Sequence, residues 1–107
     1  MAKALSNKQR QELRGLAHHL EPIVRIGTAG LQPSVCDAVE QALLDHELIK
    51  VKFGTTFVGD HREAAVDLAM IVNAHLCQVI GRIAVLYKRR VRDGKPRIEL
   101  SDSKRTK

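Results

Sequence analysis

The residues best equipped for chemistry in this chain are Ile26-Gly27-Thr28-Ala29-Gly30, with Pro33 three positions on. Two glycines spaced GxxG let the backbone come close to a ligand, with its amide groups facing outward. Pro33 suits the first turn of a helix, where its missing N–H is not needed. A helix starting there presents free amide donors and a partial positive charge at its N-terminus. Together these features suit a phosphate. The same glycines would also serve a plain tight turn between a strand and a helix.

The neighbouring charges favour an anion. Arg25 lies just before the loop, and Lys50 and Lys52 project from one face of a later strand, because strand side chains repeat every second residue. A solvated sheet face is the commoner fate of such a pair. A nucleotide is a poorer match than a polyanion. A Walker loop needs a lysine followed by Ser or Thr, and a dinucleotide fingerprint needs a third glycine; residues 27–33 supply neither. RNA-binding KH domains clamp backbone nucleotides with a GXXG loop by the same chemical logic, although there the loop joins two helices.

Other chemistry finds little support. The histidines at 18, 19, 46, 61 and 75 show no HxxxH or HxH spacing, and the two cysteines form no CxxC pair, so no metal is expected. Cys36 and Cys77 sit in apolar stretches and read as buried thiols of a reducing compartment. No serine stands in a nucleophile elbow, and Asp45 and Glu47, flanking His46 at a helix end, read as solvent-facing. No enzyme, cofactor or small-molecule substrate is therefore expected.

The elements that must hold the loop can be read from period and punctuation. Ser6-Asn7-Lys8-Gln9 is a capping box. Leu13, Leu16, Ala17 and Leu20 then recur at helical spacing, which predicts a helix over 7–19 with Lys8, Arg10 and Arg14 off its apolar stripe. Ile23 to Ile26 reads as a short strand. A second helix runs from Pro33 to near His46, with Val35, Cys36, Val39, Ala42 and Leu43 inward. Leu48 to Phe53 alternates as a strand. Asp60 and Glu63 form a cap signal for a third helix carrying Ala64, Ala65, Leu68, Ala69 and Val72. Leu76–Ile80 and Ile83–Tyr87 flank Gly81-Arg82, a loop suited to a type II′ hairpin.

The fold class is thus α/β, a compact single domain ordered α-β-α-β-α-β-β, with a small mixed four-stranded sheet packed with three helices. A helix between consecutive strands predicts parallel pairing of the first three strands, with the final hairpin adding one antiparallel strand. The domain is expected over residues 1–100, with 101–107 a basic, disordered tail.

Composition narrows the partner. The chain has 107 residues and a net charge of +6, and nine basic against three acidic residues between 88 and 107 account for the whole excess. Such a block favours nucleic acid or an acidic membrane surface over a neutral partner. Aromatic residues are only 3%, so Phe53, Phe57 and Tyr87 cannot furnish a broad base-stacking sheet, and the core must be largely aliphatic. No apolar run approaches the roughly 18 residues of a membrane span, and the N-terminus lacks a signal-peptide pattern. A cytoplasmic protein is expected.

Four stretches together resemble a known family: residues 13–18 (LRGLAH), 26–31 (IGTAGL), 46–52 (HELIKVK), and 78–82 (QVIGR) with Val85-Leu86-Tyr87. In this order they are similar to the CRM domain, named for chloroplast RNA splicing and ribosome maturation, and to its bacterial single-domain YhbY form. The resemblance covers about Leu5 to Tyr87. It implies a fold similar to the C-terminal domain of translation initiation factor three, and RNA binding through the GxxG loop and nearby basic residues. It also implies association of the bacterial form with large-subunit (50S) precursors, whereas multi-domain plant relatives promote intron splicing. Carried onto this chain, the RNA-binding set is Gly27, Thr28, Ala29 and Gly30 with Arg25, Lys50, Lys52, Arg10, Arg14, Arg82, Lys88, Arg89 and Arg90. Members often place Lys or Asn mid-loop. Thr28-Ala29 keeps the backbone contacts but removes a side-chain contact from position 29. The partner implied is ribosomal RNA and the expected state is a monomer. A structural ribosomal protein and a nucleotide-binding enzyme are the alternative readings.

Overall fold

The computed structural model describes residues 5–89, 91, 92, 95, 96 and 98. Arg90 and the expected tail at 101–107 lie outside the described residues. The elements are α1 (Asn7–Ala17), β1 (Pro22–Ile26), α2 (Pro33–His46), β2 (Leu48–Phe53), α3 (His61–Val72), β3 (His75–Ile80) and β4 (Ile83–Tyr87), followed by two-residue strands β5 (Val91–Arg92) and β6 (Lys95–Pro96). The first seven follow the expected order. The β5–β6 ribbon was not expected, because its short charged segments carry no apolar alternation.

Local chemistry explains the helix starts. The Ser6 Oγ accepts the Gln9 N–H at 3.0 Å, and the Gln9 Oε1 accepts the Ser6 N–H at 3.0 Å, so both halves of the capping box form. The Asp60 Oδ1 accepts the Glu63 N–H at 2.9 Å and caps α3. Pro33 opens α2, whose N-cap Gln32 makes no side-chain capping bond. At the far end, α1 stops at Ala17 rather than His19, as the His18 and His19 amides turn back to Arg14, Gly15 and Leu16.

The strand order is β1-β2-β4-β3. β1 and β2 pair in parallel, as expected. The predicted pairing of β2 with β3 is corrected: β4 lies between them, antiparallel to both. Burial accounts for this. β4 is buried at four of five positions, whereas β3 is mostly half-exposed, so the more apolar strand of the hairpin takes the interior place. Gly81 has φ +57° while Arg82 is not among the residues of positive φ, the sign pattern of a type II′ turn.

The sheet is covered on both faces, unequally. On one face Val24, Ile26, Ile49, Val51, Phe53, Ala84 and Leu86 pack against Val39, Leu43, Leu68 and Val72 of α2 and α3. On the other, Leu13 and Ala17 of α1 pack on Leu48, Cys77, Val85 and Tyr87. One helix cannot cover a four-stranded face, so part of it stays open. Only Leu13 and Ala17 of the expected α1 stripe are buried. Leu16 and Leu20 are 48% and 37% exposed, on a flank that borders a groove with Ile23, His46, Leu48 and Ile98.

Glu47 was expected to face solvent, and this too is corrected: it is fully buried. It is the single residue between α2 and β2, and that reversal holds it at φ +66°, a region costly for a side-chain-bearing residue. Its N–H donates to the Leu43 carbonyl, and its own carbonyl accepts the Lys88 N–H, each at 2.9 Å. Its Oε1 accepts the Ile98 N–H at 2.7 Å. The carboxylate thereby holds a segment 51 residues away. Glu47→Ala removes a buried acceptor and should lower the unfolding free energy by about 1–3 kcal/mol in urea titration.

Burial beneath α1 pushes the Cys77 thiol up to about 11, with Arg10 and Arg14 pulling it down more weakly. Burial raises the Tyr87 phenol as well, with Glu47 adding to it. Unfolded, a thiol ionises near 9.0, so between there and about 11 the unfolded chain releases a proton that the folded chain keeps. Stability should therefore fall as pH rises through this window. Thermal melts of Cys77→Ala should show a shallower loss over the same range.

Candidate nucleic-acid interface

Strand directions gather three connections at one end of the sheet. β1 and β2 are parallel, so Ile26 and Phe53 end together; β4 starts there and β3 finishes there. Residues 27–30, residues 54–60 and the Gly81-Arg82 turn are thus neighbours. The Gly54 N–H donates to the Ile26 carbonyl and the Phe53 N–H to the Arg82 carbonyl, both at 2.7 Å. These bonds tie the three connections to one frame.

Within the loop, the Gly30 N–H donates to the Gly27 carbonyl at 3.0 Å, closing a turn, and Gly30 has φ +71°. The Gly30 amide is therefore used internally and does not face outward as expected. Among the described residues, Thr28 and Ala29 donate their amides to no backbone acceptor, and both residues are exposed. Gly27 backs onto the second loop: a Cβ there would stand 3.3 Å from the Thr56 Oγ1. This support from Thr56 left no signal in the sequence. The first turn of α2 carries no acidic residue to compensate its partial charge.

Next to this end lies the open part of the α1 face. Arg25 and Lys52 are register partners on β1 and β2, about 4.8 Å apart in backbone, and Lys50 stands two residues back on the same face. The rows continue through Ile83 and Ile80, and through Val85 and Gln78. No acidic residue stands in β1, β2, β3 or β4. Among the described residues, the side chains of Arg25, Lys50, Lys52 and Arg82 make no hydrogen bond or ion pair.

Helical geometry assigns the remaining α1 cations. Leu16 and Leu20 flank the groove near His46 and Ile98, at the far end of the sheet. Arg10 and Arg14 lie on the opposite flank, both close enough to the Cys77 thiol to lower its pKa. Arg14 therefore borders the open part of the face. Arg10 is engaged: its Nη1 donates to the Leu76 carbonyl at 3.1 Å, pinning α1 to the edge strand.

The expectation that Lys88 and Arg89 surround the loop does not survive the fold. They follow β4 at its other end, roughly 15 Å away along a five-residue strand. The Lys88 Nζ donates to the Val72 carbonyl at 2.9 Å and serves as a cap for α3. Among the described residues no three His, Cys, Asp or Glu side chains group as a metal site, and no helix is long and apolar enough to cross a membrane.

Residues 5–88 match the CRS1/YhbY (CRM) domain. The chain is 45% identical over 91 residues to an RNA-binding protein of Haemophilus influenzae, covering 78% of this chain and 85% of that protein. It is 34% identical over 102 residues to a probable RNA-binding protein of Pseudomonas aeruginosa, covering 95% of each. The fold is similar to the solution structure of a hypothetical RNA-binding protein of Staphylococcus aureus. The TM-score is 0.76 at 34% identity, covering 92% of this chain and all of that one.

A Cβ on Gly30 would meet nothing within 4 Å, so only its positive φ opposes substitution. Gly30→Ala should cost about 1–2 kcal/mol in urea unfolding and leave a folded domain.

Proposed function

Since this chain belongs to the CRS1/YhbY (CRM) domain family, we propose that it binds ribosomal RNA and acts in assembly of the large ribosomal subunit. RNA as the partner is supported by the relatives in Haemophilus and Pseudomonas, which are RNA-binding proteins by name. Ribosome maturation is one of the two processes after which the family is named. The observation that carries the reading is local. Arg25, Lys52 and Arg82 converge on the end of the sheet that holds the 27–30 turn, with Lys50 and Arg14 beside them and no strand carboxylate to neutralise them.

In this reading the Thr28 and Ala29 amides and the start of α2 hold one phosphate of the chain. Arg25, Lys50, Lys52, Arg82 and Arg14 neutralise its neighbours. Each neutralised phosphate releases condensed counterions, so affinity depends on salt. Arg10 acts by positioning α1, and Lys88 by fastening β4 to α3, rather than by contact with RNA. No catalytic step is assigned.

With five phosphate contacts the slope of log affinity against log salt should be roughly −3.5 for an unpaired strand and roughly −4.5 for a duplex. Arg25→Ala with Lys52→Ala should make that slope shallower by about 1.4 or about 1.8 respectively, because two contacts are lost. An unchanged slope in the folded double variant would remove this face from the mechanism. Sucrose-gradient fractions of cell extract separate the cellular roles. An assembly factor should travel with large-subunit precursors and leave mature, translating subunits, whereas presence in the latter would make it a structural component.

A further inference from the structure

We infer that the surface around Arg25 and Lys52 is built for paired, double-helical RNA rather than for unpaired nucleotides; this rests on the RNA-binding reading above. The first observation is the placement of every aromatic ring. Phe53 and Tyr87 are buried in the two cores. Phe57 packs on Phe53 at 4.8 Å between centroids and lies 5.7 Å from His61, which itself stacks on Phe53 at 5.5 Å. His75 stacks on Tyr87 at 6.0 Å. The exposed His18 and His19 follow α1, and His46 ends α2, all near the far end of the sheet. No Phe, Tyr or His ring therefore stands on the open basic face.

Proteins that hold unpaired strands combine a basic groove with rings on which successive bases stack. This face offers the charge without the rings. Beside its cations it presents Ile80, 62% exposed, and the half-buried Ile83, neither of which can read a base edge by hydrogen bonding, with the half-buried Gln78 amide one row behind them. A single half-buried amide reads little sequence, so recognition of phosphates and shape predominates, the means by which double-stranded RNA is bound.

The second observation is the layout of the charge. Arg25 and Lys52 are adjacent across strands, Lys50 stands behind Lys52 along its strand, Arg82 lies on the next turn and Arg14 on the flank of α1. The array spreads in two directions rather than along one line. An unpaired strand offers a single line of phosphates, whereas a duplex offers two lines on either side of a groove. A sheet face with cations on two strands and a helix matches the second pattern.

The test uses the full chain and three labelled probes of one sequence: an RNA hairpin of about 20 base pairs, its unpaired strand, and the corresponding DNA duplex. Fluorescence anisotropy at one fixed salt concentration should give binding at least about tenfold tighter to the hairpin than to the unpaired RNA, a difference of about 1.4 kcal/mol. DNA should bind more weakly than the RNA hairpin, since B-form geometry and the missing 2′-hydroxyl alter both contact sets. Equal or tighter binding to the unpaired RNA overturns the inference and leaves RNA binding standing. Equal binding to duplex DNA overturns the preference for RNA form. Failure to bind any of the three removes the functional reading itself. Lys50→Ala with Lys52→Ala, shown folded by its melting curve, should weaken hairpin binding; unchanged affinity overturns the assignment to this face.

Discussion

The parallel pairing of β1 with β2 is the contact on which the rest of the site depends. It sets Arg25 beside Lys52 and brings the ends of both strands to one level, so the 27–30 turn and the 54–60 loop brace each other through the Gly54–Ile26 hydrogen bond. Insertion of β4 next to β2 then delivers Arg82 to the same end. Arg25, Lys52 and Arg82 are far from one another in the chain. A parallel pair needs a crossover connection, and α2 supplies it while also presenting its N-terminus beside the loop.

The charge arrangement is unfavourable for the isolated domain. Like charges on adjacent strand positions repel, by an amount on the order of 1 kcal/mol per pair in water when the charges come within about 5 Å. The fold keeps that repulsion affordable by leaving Arg25 and Arg82 exposed and Lys50 and Lys52 half-buried, where water still screens them. α1 makes this possible by covering only part of its face. Leu13 and Ala17 seal Cys77, Val85 and Tyr87, and Arg10 anchors the helix to an edge carbonyl, so the apolar part of the face is closed and the basic part is not. A sheet face that is stable and yet poorly neutralised is what a polyanion can relieve.

The opposite end of the sheet is organised by hydrogen bonds. Glu47 reverses the chain between α2 and β2, receives the backbone of Lys88, and binds the Ile98 amide with its carboxylate, while the Lys88 side chain closes the end of α3. The two ends therefore divide the labour. One is a junction of buried and capped groups that sets the strand positions; the other is open and carries Arg25, Lys50, Lys52 and Arg82, whose side chains pair with nothing among the described residues.

Much of this was legible in the sequence wherever a local rule decides the outcome. The capping box at Ser6, the Asp60 cap, the alternation of Leu48–Phe53 and the Gly81-Arg82 hairpin each depend on residues a few positions apart, and the structure has all of them. Lys50 and Lys52 could be placed on one face because strand side chains repeat every second residue, whereas Arg25 joins them only through the register of the parallel pair. Strand order, the burial of Glu47, the exposure of Leu16 and Leu20, and the removal of Lys88 and Arg89 to the far end could not be read in this way. They depend on which strand of the hairpin is more apolar, on how far one helix reaches across a sheet, and on a carboxylate meeting an amide 51 residues away. Those are contests between distant surfaces for burial and hydrogen bonds, and only the assembled chain resolves them.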